Sequence, residues 1–300
     1  MQIVFALVAL VVGFVLLVKG ADWFVEGSAG IANKFGIPQI VIGLTIVAMG
    51  TSMPEAAVSI SAALRGSAEI TIGNVVGSNI MNILVILGLT AVVCQIAVQK
   101  TTIHYEIPMV IGVTILLAVM GLQNNIISRA EGVILLACMV VYMLYLLRLA
   151  KRGVVENEEM DAYAKQVSFG RLILLVVVGV AAIIFGSHVA VEAASAIARI
   201  FGISERFIGL TIVAFGTSLP ELATSVAAAR RGNSDIAVGN IVGSNLFNIM
   251  FVVGITAVIV AVAAAVLLLV CVYRGRVLKR RHGLLMLACY GGYFAYLLLA

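Results

Sequence analysis

Long apolar runs alternate along the chain with short polar ones, and the apolar runs have the length of bilayer-spanning helices. A hydrocarbon core of roughly 30 Å asks for about 20 apolar residues per helix. The first run, residues 1–18, has neither the basic start nor the small-residue cleavage site of a signal peptide, so it is expected to remain as a helix. Further runs lie near 39–64, 71–93, 107–121 and 130–147. The polar stretch 148–169, with Lys151, Arg152, Glu156, Glu158, Glu159, Asp161 and Lys165, reads as a solvated linker. A regulatory Ca2+ site at Glu156–Asp161 is disfavoured, because the glycine turn and ligand spacing of an EF-hand loop are missing.

After the linker the pattern returns. Residues 42–55 read IGLTIVAMGTSMPE and residues 208–221 read IGLTIVAFGTSLPE, identical at twelve of fourteen positions at an offset of 166. The same offset aligns GNVVGSNIMN (73–82) with GNIVGSNLFN (239–248), Gly20 with Gly186, Glu26 with Glu192, and Gly88 with Gly254. Five spans precede the linker, so the second copy must enter the membrane from the opposite side. That is an inverted repeat, common among secondary transporters. The division is therefore 1–147 as the first five-helix repeat, 148–169 as a cytoplasmic linker, and 170–300 as the second repeat. Near the C-terminus the offset drops to 151 (Gly132 with Gly283, Cys138 with Cys289, Tyr142 with Tyr293), so the second copy is 15 residues short. The shortfall predicts a missing loop near 259–262.

Composition agrees with this reading. Hydrophobic residues make up 63 % of the 300 and charged ones 11 %, with mean hydropathy +1.18. A soluble domain carries about 25 % charged residues. A soluble fold, a disordered chain, a disulfide scaffold and a nucleic-acid binder are thereby excluded, and the lipid bilayer is the solvent. Cys94, Cys138, Cys271 and Cys289 have no metal-site or disulfide spacing and read as small buried hydrophobes. With both termini outside, fifteen of the nineteen lysines and arginines face the cytoplasm, leaving Arg65, Arg129, Arg199 and Arg206 outside. The basic cluster at 274–281 reads as a topology anchor, with anionic-lipid binding the alternative.

Two acids, Glu55 and Glu221, stand out deep inside apolar spans, and an ionisable residue there is a functional-site hypothesis by default. Each closes a GTSxPE motif. Pro54 and Pro220 should break their helices, Met53 and Leu219 are pushed from helical dihedrals, and Gly50 and Gly216 allow unwinding. Broken helices free backbone carbonyls, which are hard oxygen ligands. Ala48, Thr51, Ser52 and Glu55 fall at i, i+3, i+4 and i+7, and Ala214, Thr217, Ser218 and Glu221 repeat that spacing. Asn74, Ser78 and Asn82, with Asn240, Ser244 and Asn248, form a second repeated polar stripe beside Gly77 and Gly243. The glycines suit close helix packing, whereas the Ser and Asn side chains suit a lined site. This oxygen set fits Na+ or Ca2+ and disfavours zinc and copper. His104, His188 and His282 fall near predicted helix ends, and Glu26 and Glu192 lie nearer the interface.

These paired motifs resemble those of the cation/calcium antiporter superfamily, and specifically its prokaryotic sodium/calcium exchangers. The resemblance spans the whole chain. It implies an all-α membrane protein of ten transmembrane helices, built as two inverted-topology five-helix repeats with proline-broken helices at the centre. It further implies alternating-access exchange of Na+ for Ca2+ across the plasma membrane. Glu55 and Glu221 would be shared ligands, and the carbonyls of Thr51 and Thr217 would complete the Ca2+ site. Ala48, Ser52 and Ser78 would form one outlying Na+ site and Ala214, Ser218 and Ser244 the other, with Asn82 and Asn248 lining the centre. Some sodium/calcium exchangers carry Asp where this chain has Asn248.

Other classes fit less well. A Ca2+/H+ or other cation antiporter is the alternative within transport. An intramembrane hydrolase built on Ser52 or Ser218 would need a positioned base that neither span supplies, and a passive channel fits poorly with ligands in broken, repeated helices. The expected protein is thus a transporter and no enzyme, with Na+ and Ca2+ as cargo, no cofactor, no nucleic acid and no obligate protein partner.

Overall fold

The computed structural model describes residues 2–64, 68–124, 129–151, 167–252, 277–278 and 280–299. Apart from two short strands, its regular elements are helices: α1 (Gln2–Phe35), α2 (Gln39–Thr51), α3 (Met53–Leu64), α4 (68–93), α5 (102–124), α6 (Arg129–Ala150), α7 (Phe169–Ile200), α8 (205–217), α9 (Leu219–Arg230), α10 (Ser234–Phe251) and α11 (Arg280–Leu299). Among the described residues five helices are long and apolar enough to cross a membrane. Two further pairs, α2 with α3 and α8 with α9, pass the same test as spans bent by 47° and 50°.

α1 runs well past residue 18. The reason is its second half, where Ala21, Phe24, Val25, Ala29 and Ala32 keep a helical spacing and are all buried. α5 begins at Thr102 and α6 ends at Ala150, so Arg148, placed by the sequence in the linker, is helical. The remainder of the linker (152–166), Cys271 and the loop expected near 259–262 fall outside the described residues. Two expectations need correction. Cys94 and Cys138 are only partly buried and Cys289 is exposed, because an apolar helix facing lipid has no reason to hide a thiol. His188 lies well inside the 32-residue α7, not at a helix end.

Among the described residues α1 and α7 form the most extensive helix–helix contact. A Cβ on Gly13 would stand 2.7 Å from the Ala190 nitrogen, and one on Gly20 2.8 Å from the Ile183 nitrogen. On Gly179 it would meet the Phe24 nitrogen at 2.6 Å, and on Gly186 the Leu17 nitrogen at 2.7 Å. Partner numbers fall in α7 as they rise in α1, so the helices run antiparallel. Gly13 and Gly20 correspond to Gly179 and Gly186 at the repeat offset; glycine at these positions lets backbone touch backbone. Both helices end on an equivalent left-handed glycine, Gly36 (φ +63°) and Gly202 (φ +74°).

One end of the helix bundle is tied together by contacts distant in sequence. Lys34 Nζ donates to the Val167 carbonyl at 2.9 Å, Gln99 Nε2 to Asp235 Oδ2 at 2.5 Å, and Phe35 meets Phe169 edge-on. Arg231 reaches Asp22 at 3.5 Å and Glu26 at 3.4 Å. There too β1 (Ile96–Ala97) pairs antiparallel with β2 (Val277–Leu278), Ile96 opposite Leu278. The core gathers around α4 and α10, while α1, α6 and α7 turn large apolar side chains outward, as helices solvated by lipid do.

Candidate functional site

Both GTSxPE segments have the same local build. Gly43–Val47 is a π-helical turn, Ala48–Thr51 a single α-turn, and at Ser52 (φ −83°, ψ 6°) the helix stops before restarting at Met53. Gly209–Val213, Ala214–Thr217 and Ser218 (φ −92°, ψ 4°) repeat this before Leu219. Each stop lies two residues before a proline. π-turns inside helices recur at functional sites, and here a pair flanks the two buried acids.

The stops cross at the middle of the molecule. Ser52 Oγ donates to Glu221 Oε1 at 2.8 Å, and Ser218 Oγ donates to Glu55 Oε1 at 3.2 Å. Ser78 Oγ lies 3.5 Å from Glu55 Oε1 and 3.3 Å from Ser218 Oγ, while Ser244 Oγ donates to the Ala48 carbonyl at 3.4 Å. Glu55, Glu221 and Ser52 have no exposed surface.

α4 and α10 supply a ring of amides between the acids. Asn79 Nδ2 donates to the Asn245 carbonyl at 3.2 Å and Asn245 Nδ2 to the Asn79 carbonyl at 3.3 Å. Asn82 Nδ2 donates to Asn245 Oδ1 at 3.0 Å, and Asn248 Nδ2 to Asn79 Oδ1 at 3.2 Å. Asn74 clamps the restarted helix through the Glu55 carbonyl (3.1 Å) and Ser59 (2.9 Å). Asn240 does the same through the Glu221 carbonyl (3.3 Å) and Ser225 (3.0 Å).

Among the described residues, four oxygens in these motifs are buried with no hydrogen-bond partner: Glu55 Oε2, Glu221 Oε2, Asn82 Oδ1 and Asn248 Oδ1. All are acceptors. A buried acceptor left unmade costs about 1–3 kcal/mol, and a cation is the kind of ligand that acceptors without donors suit. The set is hard oxygen throughout, and among the described residues no cluster of three His, Cys, Asp or Glu offers a transition-metal site.

The geometry corrects the expected grouping of the outlying residues, Ser78 with Ala48 and Ser52, and Ser244 with Ala214 and Ser218. In the structure Ser244 meets Ala48 and Ser78 meets Ser218. The grouping fails because the broken helices cross, so each packs on the other copy's polar stripe. The i, i+3, i+4, i+7 face is likewise interrupted at Ser52, and Thr51 Oγ1 turns to Asn240 Oδ1 at 2.9 Å. Ala214 is exposed and Thr217 partly so, its hydroxyl donating to the Ala214 carbonyl (3.2 Å).

The two copies thus differ in state. α2 is clamped on α10: a Cβ on Gly243 would stand 2.7 Å from Ala48 Cβ, and one on Gly43 3.0 Å from Ile236 Cα. The equivalent glycines between α8 and α4 (Gly73, Gly77 and Gly209) have nothing within 4 Å. Asn240 is fully buried; its counterpart Asn74 is not. The α2–α10 contact is close-packed and the α8–α4 contact open, so the packing around the site is asymmetric.

Sequence reasoning missed two groups. Asn79 and Asn245 lie off the i, i+4, i+8 stripe, although their place in both GSN motifs was a usable signal. Glu106 is a third fully buried acid, so Glu55 and Glu221 are not alone. It escaped notice because the apolar run begins at 107, one residue too late to include it.

The family model described as sodium/calcium exchanger protein matches residues 5–148 and 171–299. The chain is 41 % identical over 258 residues to the putative antiporter CaxA of Alkalimonas amylolytica, covering 85 % of this chain and 81 % of that one. It is 30 % identical over 337 residues to the sodium/calcium exchanger MaX1 of Methanosarcina acetivorans, covering 94 % and 95 %. The structure of the sodium-calcium exchanger NCX_Mj soaked with 10 mM Na+ and no Ca2+ superposes with a TM-score of 0.84 at 34 % identity, over 98 % of this chain and 99 % of that one. With the crossed acids, the amide ring and these matches together, the chain belongs to the sodium/calcium exchanger family of membrane ion transporters.

Proposed function

We propose that the protein is a secondary active antiporter that exchanges Na+ for Ca2+ by alternating access. The observation that carries this reading is the set of four buried, unpartnered oxygens on Glu55, Glu221, Asn82 and Asn248. Two carboxylates balance one Ca2+, and hard oxygen ligands suit it. The Thr51 and Thr217 carbonyls join them. Na+ occupies the outlying positions instead, one built on Ser52, Ser244 and the Ala48 carbonyl, the other on Ser78, Ser218 and the Ala214 carbonyl. Because both ions need Glu55 and Glu221, occupation by one excludes the other, which is what exchange requires.

In this reading the chain is a ten-helix protein of two inverted five-helix repeats, 1–147 and 170–300, joined by a cytoplasmic linker. Pro54 and Pro220 break the helices by removing a backbone donor. The end bearing Lys34, Arg231 and Asp235 faces the cytoplasm and both termini face outward across the plasma membrane, as the bias of basic residues requires. The loosened α8–α4 contact is then the outer path, and studies of NCX_Mj likewise concern extracellular ion exchange. Near-identical motifs make the opposite arrangement, α8 clamped and α2 released, close in energy.

A Ca2+/H+ or other cation antiporter is the second reading, favoured by Asn248, which leaves two carboxylates at the centre. Radiocalcium uptake into proteoliposomes under separate Na+, K+ and H+ gradients decides between them. Uptake driven by Na+ alone supports the proposal, and uptake driven only by H+ or K+ overturns it.

A further inference from the structure

Glu106 stands outside the crossed acids, at the start of α5. It is fully buried, Tyr145 Oη of α6 donates to its Oε1, and its Oε2 has no hydrogen-bond partner among the described residues. One turn earlier on the same helix the Thr102 hydroxyl is buried as well. One turn before Tyr145 on α6, Tyr142 is 2 % exposed and donates its Oη to the Leu44 carbonyl at 3.3 Å. Leu44 belongs to the π-helical turn Gly43–Val47. In that turn the Ala48 N–H reaches back to the Gly43 and Thr45 carbonyls, not to Leu44. The Leu44 carbonyl thus takes no bond from its ordinary i+4 donor, and it accepts one from Tyr142 on a neighbouring helix. The next residues along the chain are Ala48, whose carbonyl holds Ser244, then Thr51 and Ser52.

In the sequence the two tyrosines recur at the offset of 151, as Tyr293 and Tyr296, whereas the acid does not: positions 257 and 272 hold alanine and valine, in the stretch where the second copy is 15 residues short. A carboxyl in an apolar helix costs at least a few kcal/mol unless it has work to do.

We infer that Tyr142 and Glu106 are positioning residues for the transport site: Tyr142 fixes the π-turn that presents the Ala48 carbonyl, and Glu106 fixes α6 through Tyr145 so that Tyr142 reaches it. They serve the α2 half and leave the α8 half alone. This rests on the Na+/Ca2+ reading above, with Ala48 and Ser244 in one Na+ position and Ser78 in the other.

The test is a pair of double-mutant cycles, read as the half-saturating Na+ concentration for Ca2+ flux in proteoliposomes. Tyr142→Phe should raise it about two- to tenfold, the equivalent of one hydrogen bond. Tyr142→Phe with Ser244→Ala should be no worse than Ser244→Ala alone, since both act on the Ala48 carbonyl. Tyr142→Phe with Ser78→Ala should show the product of the single effects. Glu106→Ala should match Tyr142→Phe, and Glu106→Gln, which still accepts from Tyr145, should recover most of the loss. Independent effects in both cycles, or unchanged Na+ dependence in Tyr142→Phe, overturn the inference. Should the parent protein show no Na+-driven Ca2+ flux, the transport reading fails instead. The same cycles are then read from the rise in Tm produced by NaCl and by CaCl2 separately, where coupling to Ser244 but not Ser78 sustains the positioning role and its absence overturns it.

Discussion

Ser52 and Glu221 are 169 residues apart in sequence and joined by a 2.8 Å hydrogen bond, so the serine of one GTSxPE motif is held by the acid of the other. Ser218 and Glu55 complete the exchange at 3.2 Å. Among the described residues each acid keeps its second oxygen without a hydrogen-bond partner, and in the proposed exchange these are the oxygens assigned to the cation.

Glu55→Gln and Glu221→Gln each remove one of two negative charges while keeping the shape and the serine contact. Each is expected to lower Ca2+ exchange by on the order of 100-fold or more, the scale of removing one partner from a buried charge pair. Radiocalcium flux at matched insertion checks this. Near-parental flux in either variant would remove that acid from the site.

The α1–α7 contact should tolerate no added methyl. Gly20→Ala and Gly186→Ala put a Cβ within 3 Å of backbone on the facing helix, where neither side can yield by rotating a side chain. A loss of about 1–3 kcal/mol is expected, as for overpacking generally, seen as a lower Tm in detergent. Gly112→Ala in α5 meets nothing within 4 Å and should leave Tm unchanged or raise it.

Arg231 ties the α9–α10 connection to Asp22 and Glu26 on α1. It also stands, with Asp22 and Arg230, on a cavity of about 520 Å³ whose lining includes Leu219, next to the Pro220–Glu221 step. Arg231→Ala should cost less than about 1 kcal/mol of stability, because the pairs are partly exposed. Its effect on access should be larger: with Arg231→Ala, a cysteine introduced by Leu219→Cys, at a position 7 % exposed, should be alkylated several-fold faster from that end. Equal rates with and without Arg231 would mean that the pairs do not hold this end shut.

Exchange of three Na+ for one Ca2+, the ratio expected of the family, moves one net charge per cycle. That charge couples transport to voltage by about 2.3 kcal/mol per 100 mV. Ca2+ uptake should therefore follow a potassium-diffusion potential set with valinomycin. Insensitivity to that potential would mean an electroneutral cycle.

Periodicity and the repeat carried most of the helix inventory and the identity of the residues around the acids. Glu55, Glu221, Ser52 and Ser218 were legible because charge and hydroxyls inside an apolar run are costly unless they hold a partner or an ion, and the offset named each counterpart. Which stripe packs on which broken helix was not legible. Spacing along one helix describes a face, whereas the pairing of Ser244 with Ala48 and of Ser78 with Ser218 depends on how two helices cross. Asn79 and Asn245 were hidden for a related reason: their partners are each other, 166 residues apart. Glu106 was lost at a helix boundary, where a π-turn at Thr102–Glu106 begins the helix before the apolar run does.

The reciprocal bonds between Asn79 and Asn245 have a consequence for assembly. Each amide finds its acceptor on the opposite copy's backbone, and each acid finds its serine there too, so one copy alone holds half a coordination shell with its polar atoms facing hydrocarbon. Two halves made as separate polypeptides would have strong reason to seek one another in the membrane, and under the inverted-repeat reading proposed above a single-copy ancestor would have needed to insert in both orientations and pair with itself. Fusion of two such genes would then secure a one-to-one supply of the two orientations.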